Sequence, residues 1–150
     1  MELLKILLVV MVCNIAMATG VVADPVAVIV HKNNSMDDIG IPELIKIFRG
    51  ERTRWRDGQK ILPINRTVES NVRRDFFRVL FNTAPESQVY RRENSSAETM
   101  IAETDQQVIE LVAHLPNAVG YLYSNKPVDD RVKVLTVGGF TPREPGYSLK

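Results

Sequence analysis

The apolar positions after residue 24 fall into two kinds of run. Residues 26–30 are continuous, short and almost entirely β-branched, which predicts a strand that is buried on both faces. Apolar residues then recur at helical spacing over residues 41–48, with Pro42 in the first turn and Gly50 as a C-terminal stop. This pattern predicts a strand followed by an amphipathic helix.

Three further helices are predicted downstream. Ser70 is placed to cap a strong helix whose apolar residues lie on one face, and Asn82 is placed to end it. A weaker helix is expected over residues 85–94. Thr104 and Gln107 have the spacing of a capping box, which predicts a helix that starts there and closes before a proline.

Three more strands complete the pattern. Residues 60–64 form one strand, and Pro63 within it indicates an edge position or an irregularity. Residues 118–123 and 131–137 form the other two, and residues 138–150 are predicted to be loop. The order β, α, β, α, α, α, β, β favours an α/β layer structure.

The first 23 residues have the pattern of a secretory signal peptide. An unbroken apolar run covers residues 6–13 after a single lysine, and residues 21–23 place small side chains before Asp24. We therefore assign residues 1–23 to a signal peptide, residues 24–150 to one domain, and the protein to the periplasm. A membrane anchor that stays uncleaved is the alternative for this segment.

Composition narrows the classes of function. The formal net charge of +1 argues against a strongly cationic nucleic-acid binder. The only cysteine, Cys13, lies in the predicted signal peptide, so a mature domain would have no thiol chemistry. We find no metal-ligand spacing around His31 or His114 and no catalytic motif. The sequence therefore predicts a protein that is not an enzyme and uses neither a metal nor a cofactor.

Candidate binding chemistry is concentrated where the strand at residues 60–64 leads into the helix capped by Ser70. Residues 46–78 hold ten lysines and arginines against four acids, so this part of the chain carries a local positive charge. The first turn of a helix leaves backbone N–H groups unpaired and can bind an oxyanion. The candidate ligand-binding residues are Arg66, Ser70, Asn71, Val72 and Arg73. The alternative is that Ser70 is only a helix cap and that the arginines are only solvated.

Several short runs, in order and at the expected spacing, resemble the phosphate-binding proteins of phosphate ABC transporters. The resemblance extends over residues 26–140. The runs that carry it are residues 28–34, 47–50, 55–58, 64–66, 70–77 and 118–121. It implies a single lobe of a type II periplasmic-binding-protein-like fold, with a mixed sheet flanked by helices. This lobe is equivalent to the second lobe of a two-lobed, hinge-closing protein.

The resemblance also implies a role for individual residues. In the family, an arginine after a strand and a Ser-Gly-Thr-like turn hold the oxyanion; Arg66 and Ser70 match these positions, while Asn71 and Val72 replace the glycine and the threonine. Glu69 adds a negative charge beside the site. The family's first lobe has no counterpart before residue 26. We therefore expect weak phosphate binding, with a dissociation constant on the order of millimolar, equivalent to about 4 kcal/mol.

Two functions remain open from the sequence. The first is an exported solute-binding module for phosphate or a similar oxyanion, working with an ABC transporter permease. The second is a periplasmic interaction or sensory accessory protein that keeps the scaffold and contacts a membrane sensor without tight anion binding. A homodimer would rebuild a cleft between two lobes and is a third arrangement to test.

Overall fold

The computed structural model describes residues 24–82 and 99–150. Within these ranges the elements are β1 (Val26–His31), β2 (Asp38–Ile39), α1 (Ile41–Phe48), β3 (Leu62–Arg66), α2 (Asn71–Phe81), β4 (Met100–Ala102), α3 (Asp105–His114), β5 (Ala118–Tyr123), β6 (Val132–Val134) and β7 (Thr136–Val137). The predicted signal peptide and the predicted helix at residues 85–94 lie outside the described residues. In the part that is described, no helix is both long enough and apolar enough to cross a membrane.

The main sheet has five strands in the order β4-β3-β5-β1-β6. β3 runs parallel to β4 and β5, whereas β1 runs antiparallel to β5 and β6. The C-terminal ends of β3 and β5 and the start of β1 therefore lie at the same edge of the sheet. β2 and β7 form a separate two-stranded parallel sheet. This is the predicted α/β fold with a mixed sheet.

Both faces of the sheet are covered by helices. Val28 and Val30 of β1 belong to the apolar cluster that includes residues of α1 and α2, whereas Ile29 belongs to the cluster that includes α3. All five apolar residues of β1 from Val26 to Val30 are buried, which confirms the two-sided burial expected from their continuous run. The sheet is thus the middle layer of three.

The predicted elements are largely confirmed, with one shift. β1, α1, α2, α3 and β5 begin and end within about two residues of the predicted ranges. β3 lies two residues later than predicted, and it is an interior strand. Leu62 donates its N–H to Asn117 O in the β5 direction at 3.1 Å, so the nitrogen of Pro63 faces the other side. Pairing with β4 starts only at Ile64, so no ladder hydrogen bond is lost at the proline.

The predicted strand at residues 131–137 is wrong as a single element. It divides into β6, which pairs with β1, and β7, which pairs with β2 in the second sheet. The buried Leu135 lies between them, and its N–H donates to Val28 O at 2.9 Å. The division depends on β2, a two-residue strand whose pairing partner is nearly a hundred residues away and which has no pattern of its own.

The C-terminal loop predicted over residues 138–150 contains no helix or strand but is firmly attached. Tyr147 and Leu149 are buried. The Tyr147 hydroxyl donates to Val26 O at 2.6 Å, and Val26 N donates to Leu149 O at 2.8 Å. The tail therefore covers the start of β1 and extends the core beyond the regular elements.

Tyr123 makes the free energy of unfolding depend on pH in the alkaline range. Partial burial and a hydrogen bond to Asp75 Oδ2 at 2.7 Å raise the pKa of Tyr123 to about 12. Between pH 10 and 12 the folded protein keeps a proton that the unfolded chain releases, so stability falls as the pH rises through this window. We expect Tyr123→Phe to make the decline in urea-unfolding free energy between about pH 9 and about pH 11 shallower. An unchanged decline would contradict the pKa shift at Tyr123.

Candidate functional site

The turn between β3 and α2 presents backbone donors at the sheet edge. Ser70 is the N-cap of α2 and has an extended backbone, and its Oγ accepts the N–H of Arg73 at 3.4 Å. The N–H groups of Asn71 and Val72 donate to no described residue. The helix dipole adds partial positive charge at this end, so the first turn of α2 can bind an anion.

The guanidinium group of Arg66 lies at the end of β3 and is turned toward the start of α3. Arg66 is buried; its Nη1 forms an ion pair with Asp105, and its Nη2 donates to Glu103 O at 3.0 Å. Its Nε is buried and has no hydrogen-bond partner among the residues that the structure describes. Arg66 therefore joins β3 to the first turn of α3 in this structure.

The guanidinium group of Arg73 lies beneath the turn. Arg73 is only 1% exposed, its Nη1 donates to the backbone carbonyl of Arg66, and its Cζ lies 5.2 Å from the centre of the Phe77 ring. This contact ties the first turn of α2 to the end of β3. Arg73 thereby fixes the conformation of the intervening loop and places a buried positive charge next to it.

A buried polar cluster holds the end of β3 from the opposite direction. The hydroxyl of Tyr121 in β5 donates to Asn65 Oδ1, and the backbone N–H of Arg66 lies 3.1 Å from the same oxygen. The Tyr121 ring is stacked on Phe76 of α2, with 4.0 Å between ring centres. The sheet, α2 and the turn are therefore held together by one set of contacts.

The five predicted site residues lie between the end of β3 and the first turn of α2, but they present different groups to the surroundings. Ser70, Asn71 and Val72 supply a hydroxyl and two backbone donors, whereas both arginines are engaged with other parts of the protein. Glu69 is exposed and makes no hydrogen bond to any residue in the described ranges, so it does not occupy the donors of α2.

Sequence reasoning missed Asp105, Asn65 and Tyr121. Asp105 follows Thr104, whose Oγ1 accepts Gln107 N at 3.1 Å, while Gln107 Oε1 accepts Glu103 N at 2.7 Å. The capping box thus predicted the start of α3 correctly. It could not predict that Asp105 lies beside Arg66, because that contact depends on the pairing of β3 with the unpredicted strand β4. Asn65 had a usable signal, because it is a polar residue at a buried strand end.

Trp55 and the two histidines form hydrogen bonds within the described part of the chain. Trp55 is buried and donates its Nε1–H to Asn117 O at 3.0 Å, so it packs in the core. His31 Nδ1 accepts the N–H of Asn33 at 3.1 Å, and His114 lies 2.8 Å from Glu110 O. Among the described residues, no group of three or more histidine, cysteine, aspartate or glutamate side chains is arranged to hold a metal ion.

The chain is similar to known proteins in sequence and in fold. Residues 14–147 match the PBP superfamily domain. The phosphate-binding protein PstS of Bacillus subtilis (strain 168) is 29% identical over 120 residues, which make up 77% of this chain and 37% of PstS.

Two solved structures are also similar. An ABC-type phosphate transport receptor from Vibrio cholerae has a TM-score of 0.67 and 25% identity, over 79% of this chain and 48% of the receptor. A phosphate ABC transporter substrate-binding protein from Clostridium perfringens, with bound phosphate, has a TM-score of 0.66 and 26% identity, over 79% of this chain and 47% of that protein. The chain thus spans less than half the length of each of these relatives.

Proposed function

We propose that this chain, which belongs to the PBP superfamily, binds phosphate or a similar tetrahedral oxyanion at the N-terminus of α2 and does not act as an enzyme. One observation carries the proposal: the backbone N–H groups of Asn71 and Val72 have no acceptor among the described residues, beside the hydroxyl of Ser70. Two backbone N–H groups and a hydroxyl at the positive end of a helix suit an oxyanion.

Arg66 and Arg73 support these donors without being the direct contacts of the anion. Arg73 holds the turn through the carbonyl of Arg66, so it positions the donors and adds charge without needing to contact the anion. Arg66 is paired with Asp105 and contributes a guanidinium that an anion could reach only by competing with that carboxylate. Ser70, Asn71 and Val72 are therefore proposed as the direct contacts, and Arg66 and Arg73 as the charged support.

Affinity is proposed to be weak. The described residues would contact a bound anion from one side only, whereas high-affinity small-molecule sites bury most of the ligand surface. We therefore expect a dissociation constant on the order of millimolar, which corresponds to a binding free energy of about 4 kcal/mol.

The proposal can be tested by removing one backbone N–H from the first turn of α2. Asn71 occupies N1 of α2, where proline is favoured, and Ser70 has ψ of 127°, which is compatible with a following proline. Asn71→Pro removes the backbone N–H while the helix is retained. Asn71→Ala is the matched control, because it removes the same side chain and keeps the N–H.

We expect Asn71→Pro to weaken phosphate binding by at least about tenfold relative to Asn71→Ala, because a hydrogen bond to a charged group contributes about 1.5–3 kcal/mol. Isothermal titration calorimetry measures the two constants, and circular dichroism checks that both variants keep their helix content. Equal affinities in the two variants would place the anion elsewhere. Absence of phosphate binding by the unmodified protein would favour the interaction function instead.

Removing the acid beside the site should have the opposite effect. Glu69 is exposed and next to the N-cap, so Glu69→Gln takes away an unfavourable charge. We expect phosphate affinity to rise about two- to threefold at low salt and the gain to shrink at high salt, as for other exposed charge interactions. A gain that is independent of salt would argue against an electrostatic origin.

Export and partners are part of the same proposal. The sequence pattern of residues 1–23 supports secretion to the periplasm, and the relatives named above support a role beside an ABC transporter permease. A second copy of the chain could supply the opposite wall of the binding site. Measurement of the mass in solution with and without phosphate tests this dimer, and an unchanged monomer mass would contradict it.

A further inference from the structure

A cavity of about 600 Å³ lies on a different part of the protein from the phosphate site. It is formed by the end of β5 and the loop after it, by β6 and β7, and by the C-terminal segment. None of the five proposed phosphate-site residues lines it. Its volume falls within the range of pockets that bind small organic molecules.

The floor of this cavity is apolar. Leu122 and Leu135 are buried lining residues, and Val134 lines it while remaining 40% exposed. An exposed valine beside buried leucines leaves apolar surface in contact with water, and a ligand with a hydrocarbon body would cover it. Phosphate has no such body and gains nothing from this floor.

The charged residues that line the cavity are both cationic. Lys126 and Arg143 form no salt bridge with any residue of the described ranges, and the hydroxyl of Ser124 makes no hydrogen bond there. The acid next to Arg143 is Glu144, whose Oε2 accepts the Thr141 N–H and which does not line the cavity. The Thr136 hydroxyl is already bonded to Asp37 and Asp38. The cavity therefore combines an apolar floor with uncompensated positive charge.

We propose that this cavity binds a small organic carboxylate with an aliphatic body. The carboxylate pairs with Lys126 and Arg143, and the hydrocarbon chain lies against Leu122, Val134 and Leu135. This second site is separate from the proposed phosphate site at α2, because the two sites share no lining residue.

A series of straight-chain carboxylates tests both halves of the proposal. Calorimetry or amide chemical-shift mapping on the full chain uses butanoate, hexanoate and octanoate as probes. We expect affinity to rise roughly fourfold for each methylene that becomes buried. 1-Octanol is the uncharged comparison and should bind at least about tenfold more weakly than octanoate.

Variants locate the site. Lys126 and Arg143 are exposed, so Lys126→Glu combined with Arg143→Glu should fold normally and weaken octanoate binding at least about tenfold. Arg56→Glu is the control, because Arg56 is exposed and does not line the cavity; its octanoate affinity should be unchanged. Asn71→Pro should also bind octanoate normally, which separates this site from the phosphate site.

Three results would overturn the proposal. The first is no octanoate binding up to about 10 mM, a concentration at which a millimolar site is largely filled. The second is equal binding of octanoate and 1-octanol, which would show that the cations take no part. The third is full octanoate binding by the Lys126→Glu, Arg143→Glu protein with the same thermal midpoint as the unmodified chain.

Discussion

Phe76→Ala is expected to lower the free energy of unfolding by about 3–5 kcal/mol. Phe76 is fully buried in α2, its ring is stacked on Tyr121 at 4.0 Å between centres, and Phe48 of α1 meets it edge-on at 5.0 Å. The substitution loses the transfer free energy of the ring, leaves a cavity and removes both aromatic contacts. This loss is a large fraction of the total stability of about 5–15 kcal/mol for a typical domain.

The loss of Phe76 also affects the proposed phosphate site, because α2 packs on the sheet through this ring. We expect Phe76→Ala to weaken phosphate binding as well, since the donors at the start of α2 lose their fixed position. Urea unfolding followed by circular dichroism measures the stability. Phe140→Ala is the matched control: Phe140 is 43% exposed, and its loss should cost about 1 kcal/mol or less. Similar losses in the two variants would contradict the central role of the Phe76–Tyr121 stack.

Arg66→Ala is expected to lower stability by about 2 kcal/mol and to reduce phosphate binding several-fold, because the supporting positive charge is lost and the Asp105 carboxylate is left unpaired. Breaking a fully buried ion pair costs about 3–5 kcal/mol, because the remaining charge stays desolvated. The Asp105 side chain is 30% exposed, however, so its carboxylate regains water when Arg66 is removed. The loss is therefore smaller than for a fully buried pair, and it adds to the loss of the bond to Glu103 O.

Two companion variants separate the roles of Arg66. Arg66→Lys keeps the charge but not the planar fork, so it should recover part of the phosphate affinity and little of the stability. Asp105→Asn removes the competing carboxylate and should strengthen phosphate binding while it lowers stability. If Arg66→Ala were destabilised but bound phosphate as tightly as the unmodified protein, Arg66 would be a structural residue only.

The local pattern of apolar and polar residues was sufficient to predict most of the helices and strands. The continuous apolar run of β1 and the capped amphipathic patterns of α2 and α3 predicted their type and position, because side-chain burial on a helix or strand has a fixed period. The cap residues were equally readable: Ser70, Thr104 and Asn82 all occupy the terminal positions that their chemistry favours, with Asn82 in a left-handed conformation at φ 46°.

The short strands could not be predicted in this way. β2 and β7 have two residues each and β4 has three, so none is long enough to show an alternation. They exist because a distant partner supplies the hydrogen bonds, and that partner is fixed only when the sheet assembles. The division of residues 131–137 between two sheets has the same cause.

The proposed phosphate site shows the same division between local pattern and tertiary structure. The sequence by itself determined that Ser70 caps a helix directly after a strand, and therefore that unpaired amides lie at that position. Only the tertiary structure decided where the guanidinium groups lie, because a long, flexible arginine side chain takes its direction from the neighbours it meets. Arg66 forms an ion pair with Asp105, just after β4, and Arg73 donates a hydrogen bond to the carbonyl of Arg66 beneath the turn. Backbone donors follow from local geometry, whereas the placement of long charged side chains follows from contacts between distant parts of the chain.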